Sequence, residues 1–139
     1  MGWYCIKKFD NFSSNLAVLR RAADQDLGNE FIISGIIDKF FIQFELGWKL
    51  LKELLRYEGR MAGATGSPRE IIKAAYSCFD FLTEELWLDM LKDRNDMTHI
   101  YDGGQARKLA DRIIRAYIPE FEQLNQAILT LYGHDMDKW

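Results

Sequence analysis

The sequence of 139 residues contains little that would interrupt or cross-link a helical chain. It has only two prolines, Pro68 and Pro119, which favours long helices over a strand-and-turn architecture. Its two cysteines, Cys5 and Cys78, match no metal-ligand spacing and are expected to be free, reduced thiols. We therefore expect no metal site and no bound cofactor.

Features of membrane and secreted proteins are also missing. No segment has 18 apolar residues without a charge, so a transmembrane span is not expected. The N-terminus, MGWYCIKKFDNF, lacks the basic-then-apolar order of a signal peptide. These features predict a cytoplasmic protein without a membrane partner. The length predicts a single domain over residues 1–139.

An excess of basic residues is absent too. The chain has 18 lysines and arginines against 21 acidic residues, and its formal net charge is −3. Domains that bind nucleic acid through their overall charge are usually basic. Any contact with RNA is therefore expected to be local, or shared with a partner.

The chain does contain helical periodicity over almost its whole length. Apolar residues at three- and four-residue spacing predict a first helix over roughly residues 7–25 and a second over roughly 31–58, before Gly59. The second helix has two apolar faces, which is typical of a central helix or of one that also contacts another subunit. Its polar residues Glu45 and Lys49 are interpreted as an i,i+4 salt bridge rather than as catalytic groups.

Capping residues indicate two further helix starts. Ser67 at the N-cap, Pro68 at the first position and Glu70 three residues after the cap predict a third helix. Thr83 is predicted to cap a fourth helix, which continues through RNDMTHIYD at residues 94–102.

The last segment, residues 105–132, is again helical, and Pro119 should kink or divide it. The chain has no internal repeat and no linker. The whole pattern predicts an all-α bundle of four main helices with one or two additional short helices.

The fourth helix changes character at RNDMTHIYD. On a wheel of ~100° per residue, its apolar arc contains Trp87, Leu88, Met90 and Leu91. In the following turns the same arc receives Arg94, Asn95, Thr98, His99 and Tyr101. The opposite face, predicted to be exposed, contains Asp89, Lys92, Asp93 and Asp96. The motif is thus predicted to continue a buried stripe.

These residue types suit a particular chemistry. Histidine exchanges a proton near neutral pH, and arginine presents a planar set of donors to a phosphate. The pair Arg94 and His99 would suit cleavage of RNA through its own 2′-hydroxyl, without metal ligands. Because the two lie ~140° apart on a straight helix, a two-fold dimer would supply two of each to one cleft. The structural alternative is that this helix end only covers the edge of the core.

The spacing of Arg94, His99 and Tyr101 resembles the R-x-x-x-x-H-x-Y signature of HEPN-domain proteins. More broadly, the chain resembles the nucleotidyltransferase substrate-binding proteins, which are related to the HepT toxins. The segments that carry this resemblance are FFIQFELGWKLLKELLRYEG (40–59), SPREIIKAAY (67–76) and ELWLDMLKDRNDMTHIYD (85–102). Between the arginine and the histidine this chain has Asn-Asp-Met-Thr, where a more apolar or small filling is expected.

The resemblance implies an up-and-down four-helix bundle, usually a homodimer with the motif at the subunit cleft. It also implies a partner, a separate minimal nucleotidyltransferase subunit. In the toxin–antitoxin function, Arg94 and His99 would form a metal-independent endoribonuclease site, with Asn95 and Thr98 in support. The partner would silence this site by transferring AMP to Tyr101.

Two other functions remain open at this point. In the older view of the family, the chain is a non-catalytic subunit that binds the substrate of the nucleotidyltransferase. In a third view, the chain is a structural helical module, and the motif only lines an interface. The chain should not transfer nucleotides itself, because it lacks a Walker-type loop and the Gly-Ser with paired aspartates that a nucleotidyltransferase site requires.

Overall fold

The structure is a computed structural model that describes residues 2–61, 63, 66–96 and 101–134. Within these ranges the chain forms helices and turns without a strand, so the prediction of an all-α protein is confirmed for them. The α-helices are α1 (Gly2–Leu19), α2 (Glu30–Tyr57), α3 (Pro68–Cys78), α4 (Glu84–Asn95), α5 (Gly103–Arg112) and α6 (Ile118–Tyr132). None of the helices in the described ranges combines the length and the hydropathy needed to cross a bilayer.

Helix α2 is the central element, as its two apolar faces predict. The side chain of Asn29 caps its start by accepting from the N–H groups of Phe31 (2.9 Å) and Ile32 (3.4 Å). Gly59 follows its end with a φ of 75°, a backbone conformation that glycine adopts without strain. The helix packs against α1, α3, α4 and α5. Helix α2 also contributes a residue, Glu45, to the site described below.

An aromatic cluster holds α4 and α6 against α2. Phe40 of α2 stacks on Tyr117, with ring centroids 5.2 Å apart, and Trp87 of α4 meets the ring of Phe121 edge-on at 5.6 Å. Gly47 allows Trp87 to lie close to α2, because a Cβ at Gly47 would be 2.9 Å from the indole ring. These contacts fix where α4 crosses α2.

The two predicted helix starts differ in outcome. At α3 the prediction is confirmed: the Ser67 hydroxyl accepts from the N–H of Glu70 and donates to the Glu70 carboxylate, both at 3.3 Å. At α4 Thr83 occupies the N-cap position, but its side chain makes no capping hydrogen bond. Its backbone N–H instead donates to the carboxylate of Glu120 at 2.7 Å. The cap of α4 therefore involves a residue from α6.

The boundaries of three helices, α1, α4 and α5, differ from the sequence predictions. Helix α1 begins at Gly2 and ends at Leu19, followed by a 3-10 turn, Arg20–Asp24. Helix α4 ends at Asn95 instead of near residue 102, since Asp96 takes an extended conformation with φ −92° and ψ 92°. The Asp102 side chain accepts from the N–H groups of Gly104 (2.9 Å) and Gln105 (3.1 Å). Asp102 thus starts α5 rather than ending α4.

Pro119 divides the last helical segment, as predicted. A π-helical turn, Ile113–Tyr117, separates α5 from α6, and Pro119 lies in the first turn of α6. Proline has no N–H to donate to the preceding turn, so a regular helix cannot continue through it without losing a hydrogen bond. The turn carries Tyr117 into the core.

Candidate functional site

The buried face of α4 is not the arc that the helical wheel predicts. It consists of Trp87, Met90 and Asp93, at intervals of three residues. The prediction that Asp93 is exposed is therefore wrong. The buried stripe is rotated toward Asp93, so that Arg94 lies at its edge and Asn95 is exposed. A buried aspartate is stable only where hydrogen-bond donors meet its carboxylate. This position of α4 supplies such donors to Asp93.

Asp93 is the centre of a buried hydrogen-bonded cluster. Arg112 donates to both of its carboxylate oxygens, from Nε at 3.2 Å and from Nη2 at 3.0 Å. The Tyr117 hydroxyl donates to Oδ2 at 2.5 Å. The cluster connects the last turn of α4 with α5 and with the π-helical turn. It thereby determines where the following residue, Arg94, leaves the core.

The cluster changes the acidity of its members. Burial, and then the hydrogen bond to Asp93, raise the pKa of the Tyr117 hydroxyl. Burial alone would lower the pKa of Arg112, but its hydrogen bond and charge attraction to Asp93 raise it above its ordinary value. Both groups therefore keep the protonation state in which they donate to Asp93.

Arg94 turns away from this cluster and pairs with α2. Its Nη2 donates to Oε1 of Glu45, and its Nη1 donates to the side-chain oxygen of Asn95 at 3.0 Å. About a third of each partner's side chain stays exposed, 33% for Arg94 and 31% for Glu45. The guanidinium is thus held in one orientation at the surface.

Glu45 has two further polar contacts within its own helix, one hydrogen bond and one longer ion pair. The indole Nε1 of Trp48 donates to Oε2 at 3.1 Å, and Nζ of Lys49 lies 3.9 Å from the same oxygen. The predicted Glu45–Lys49 salt bridge is therefore confirmed, but it is one part of a larger arrangement. Trp48 is half-buried rather than a full member of the core.

The other motif residues are placed as follows. Asn95 is exposed, and Tyr101 is 86% exposed. Thr98 and His99 lie outside the described residues. The prediction that the whole motif continues a buried stripe is wrong for Asn95, because the buried face is rotated toward Asp93, and for Tyr101, because α4 ends at Asn95.

Two open cavities adjoin the motif. One, of about 680 Å³, is lined by Asn95 and Asp96 together with Arg69 and Lys92. The second, of about 250 Å³, lies beside Tyr101 and is lined by Phe31, Glu30, Ser34 and Ala106, among others. Phe31 is 81% exposed, so two large aromatic side chains border this second cavity. Both cavities could admit part of a polymer or of a partner protein.

The arrangement can bind an anion but offers little to a metal. In residues 2–61, 63, 66–96 and 101–134, no group of three His, Cys, Asp or Glu side chains is placed to hold a metal ion. Arg94 supplies donors that suit a phosphate, and Arg69 and Lys92 add two cations beside Asn95. The neighbouring acids Glu45, Asp89 and Asp96 keep the local charge from becoming strongly basic.

Sequence reasoning missed the roles of Asp93 and Glu45. Asp93 lies three residues after Met90, and that spacing is the one available indication that it shares the buried face. Glu45 has a satisfactory local partner in Lys49, so its contact with Arg94, 49 residues away, leaves no trace in the local pattern.

A family model described as "nucleotidyltransferase substrate binding protein like" matches residues 7–130, which include α2, α3, α4 and the motif. Among curated proteins, none matches the chain.

Proposed function

The chain belongs to the nucleotidyltransferase substrate-binding-protein-like family, and from this membership we propose that it is the HEPN-type partner subunit of a minimal nucleotidyltransferase. We propose that its helices form one domain, an up-and-down four-helix bundle, which acts in the cytoplasm as a homodimer. Its activity is that of a metal-independent endoribonuclease toxin, which the partner neutralises by AMP transfer to Tyr101.

The observation that carries this proposal is the exposure of three motif residues that the structure describes, Arg94, Asn95 and Tyr101. Asn95 is exposed, Tyr101 is 86% exposed, and Arg94 keeps a third of its side chain in solvent. A residue that only completes a core would be covered, whereas a phosphate ligand and an AMP acceptor must be accessible to RNA and to a second protein. The open cavity with Arg69 and Lys92 beside Asn95 offers space for a strand.

In the proposed mechanism the RNA supplies its own nucleophile. His99 takes the proton of a 2′-hydroxyl, whose oxygen attacks the adjacent phosphorus, and the imidazolium returns a proton to the 5′-oxygen as the P–O5′ bond breaks. The products are a 2′,3′-cyclic phosphate and a 5′-hydroxyl. Arg94 stabilises the charge that develops on the phosphate oxygens, and Asn95 and Thr98 support it. The second protomer contributes its own Arg94 and His99 to the cleft.

Silencing by the partner uses the same surface. The Tyr101 oxygen attacks the α-phosphorus of ATP, pyrophosphate leaves, and the phenolic proton is released. The added AMP places a negative phosphate and a bulky nucleoside a few residues from Arg94, which would compete with RNA for the guanidinium.

Cleavage of RNA in the presence of a chelator tests the nuclease. We expect Arg94→Ala and His99→Ala to lower the cleavage rate by about 100-fold or more, the usual effect of removing a group that stabilises transition-state charge. Arg115→Ala is the matched control, because Arg115 pairs with Asp111 on an exposed surface and lies outside the motif. Equal cleavage by all four proteins would contradict the nuclease proposal.

Mass spectrometry tests the role of Tyr101. After incubation with the nucleotidyltransferase partner, Mg²⁺ and ATP, we expect one added AMP, which Tyr101→Phe abolishes. Tyr76→Phe is the control, since Tyr76 is also exposed. An unmodified Tyr101 with an active partner would remove this role. Sedimentation at micromolar concentration tests the dimer, and a monomer there would exclude a cleft that needs two protomers.

The alternative function is a non-catalytic subunit that binds the substrate of the nucleotidyltransferase. The observation that favours it is charge: the chain is acidic overall, and Glu45, Asp89 and Asp96 lie at or near the motif. These acids disfavour a non-specific grip on RNA. Binding of the partner without any RNA cleavage would select this function.

A further inference from the structure

We propose that Glu45 is a positioning residue of the motif, whose carboxylate, held by Trp48, fixes the Arg94 guanidinium in the orientation that meets an RNA phosphate. This inference rests on the proposed function, because it concerns the same arginine. It adds to that function a residue that lies on α2, outside the motif and 49 positions before Arg94.

Three side chains surround the Glu45 carboxylate and restrict its orientation. Its Oε1 accepts from Arg94, while Oε2 accepts from the Trp48 indole at 3.1 Å and lies 3.9 Å from the Lys49 ammonium. Glu45, Trp48 and Lys49 are three and four residues apart on α2, so they share one face of the helix. The indole N–H can only donate, and it is carried by a rigid ring. The direction of the carboxylate is therefore set before Arg94 meets it.

Stability alone does not account for this arrangement. Both side chains of the Arg94–Glu45 pair are about one third exposed, and ion pairs with that exposure add little to the stability of a fold. A free arginine side chain loses rotamer freedom when it binds a phosphate, and a guanidinium that is already oriented loses less. The pair is thus better suited to holding a reactive group than to holding two helices together.

The guanidinium also keeps donors for a ligand. It carries five N–H donors in a plane, and the two acceptors seen here, Glu45 and Asn95, use one each. A phosphate can therefore bind to the same group while Glu45 stays in place. A neighbouring residue that holds a functional group in its productive orientation is a general feature of preorganised sites.

A positioning role predicts a particular split between rate and affinity. Glu45→Gln removes a negative charge from the site, so electrostatics alone would strengthen the binding of RNA. If Glu45 orients Arg94, the same change slows the chemical step, since small misplacements of a catalytic group are costly. We therefore expect kcat to fall while affinity for an uncleavable strand is kept or increased.

The experiment compares Glu45→Gln and Trp48→Phe with Glu122→Gln. Trp48→Phe keeps a ring but removes the indole donor, and Glu122 is an acid of an exposed ion pair with Arg20, away from the motif. The probes are an RNA oligonucleotide, cleaved in the presence of chelator, and its 2′-O-methyl version, which cannot be attacked. We expect Glu45→Gln to lower kcat by about 10- to 100-fold and Trp48→Phe by less. Glu122→Gln should match the wild type.

Each result decides a different point. Wild-type cleavage by Glu45→Gln, with Arg94→Ala inactive, overturns the role of Glu45 and leaves the nuclease proposal intact. A fall in kcat that comes with a large fall in melting temperature, or with a parallel loss of affinity for the 2′-O-methyl strand, also overturns it, since a structural role then suffices. No cleavage by the wild type overturns the nuclease proposal, and with it the positioning of Arg94 for RNA.

Discussion

Two carboxylate–guanidinium pairs begin at consecutive residues of α4, and their carboxylates differ in burial. The Asp93 side chain is 11% exposed and accepts from Nε and Nη2 of Arg112, whose own side chain is 42% exposed, and from the Tyr117 hydroxyl. Arg94 meets Glu45 at the surface, where about a third of both side chains is exposed. The pair of Asp93 and Arg112 thus connects helices, whereas the pair of Arg94 and Glu45 presents a cation at the surface. Burial of the carboxylate, rather than residue type, separates the two roles.

The comparison has an energetic side. Removing a buried carboxylate leaves a desolvated donor, here the Tyr117 hydroxyl, without its acceptor, which is strongly destabilising. Removing one partner of an exposed pair leaves a group that water can solvate. Substitutions at the two positions should therefore differ in their effect on the free energy of unfolding.

The largest effect is expected at Asp93. Asp93→Ala leaves the buried Tyr117 hydroxyl without its acceptor and removes the acceptor of Arg112, so the free energy of unfolding should fall by about 3 kcal/mol. Urea denaturation measures this. Asp89→Ala, an exposed position on the same helix, should change it by less than about 0.5 kcal/mol. A loss under about 1 kcal/mol at Asp93 would show that the cluster is not the anchor described here.

An intermediate effect is expected from Tyr117→Phe. The substitution removes one hydrogen bond to a charged acceptor and keeps the ring that stacks on Phe40, so the loss should be about 1.5 kcal/mol at neutral pH. An undiminished free energy of unfolding would indicate that Arg112 alone satisfies Asp93.

The same variant should alter the response to alkaline pH. Burial raises the pKa of the Tyr117 hydroxyl above the unfolded value of 10.0, so the folded state holds a proton that the unfolded state releases. The stabilisation that the protonated Tyr117 hydroxyl gives to the folded state is complete below pH 10. It declines above that pH and is lost as the pH rises through the folded pKa. Denaturation at pH 8, 10 and 11 should show a shallower decline for Tyr117→Phe than for the wild type.

Two other groups contribute in the same direction and remain in that variant. Burial raises the pKa of the Cys5 thiol to about 11, and burial also raises the pKa of the Tyr132 hydroxyl, which donates to Glu58 at 2.6 Å. Tyr132→Phe is therefore the matched comparison. Identical slopes for the wild type and both variants would contradict the assigned pKa directions.

The smallest effect on stability is expected at Glu45. Glu45→Gln should lower the free energy of unfolding by less than about 1 kcal/mol, because the pair with Arg94 is partly solvated. Thermal and urea unfolding measure this. A loss that equals that of Asp93→Ala would remove the contrast between the two pairs.

The sequence predicts those parts of the fold that depend on neighbouring residues. The extent of α2, the start of α3 at Ser67 and the division at Pro119 each follow from periodicity, from a cap or from a missing donor. The exposure of Asn95 and Tyr101 was not predicted, because the wheel places Asp93 outside and assumes that α4 continues to residue 102. Asp102 followed by two glycines suits a helix start as well as an end, and the chain uses it as a start.

The contacts that assemble the site lie beyond local patterns. Asp93 finds its donors 19 and 24 residues later, and Glu45 reaches Arg94 across 49 residues. A helical wheel ranks positions by hydropathy and places an aspartate outside, so it cannot anticipate a buried one that tertiary donors satisfy. The catalytic roles of Arg94 and His99 and the modification of Tyr101 stay predictions.

The cap that Glu120 provides to Thr83 has a consequence for the order of events during synthesis. Helix α4 has only 12 residues, a length that is marginal in isolation, and its N-terminal backbone is met by a side chain that emerges 37 residues later. A nascent or truncated chain without α6 lacks this cap and also Phe121, whose ring meets Trp87 of α4 edge-on. The last turn of α4, with Arg94, would then reach its final place only after α6 has been synthesised.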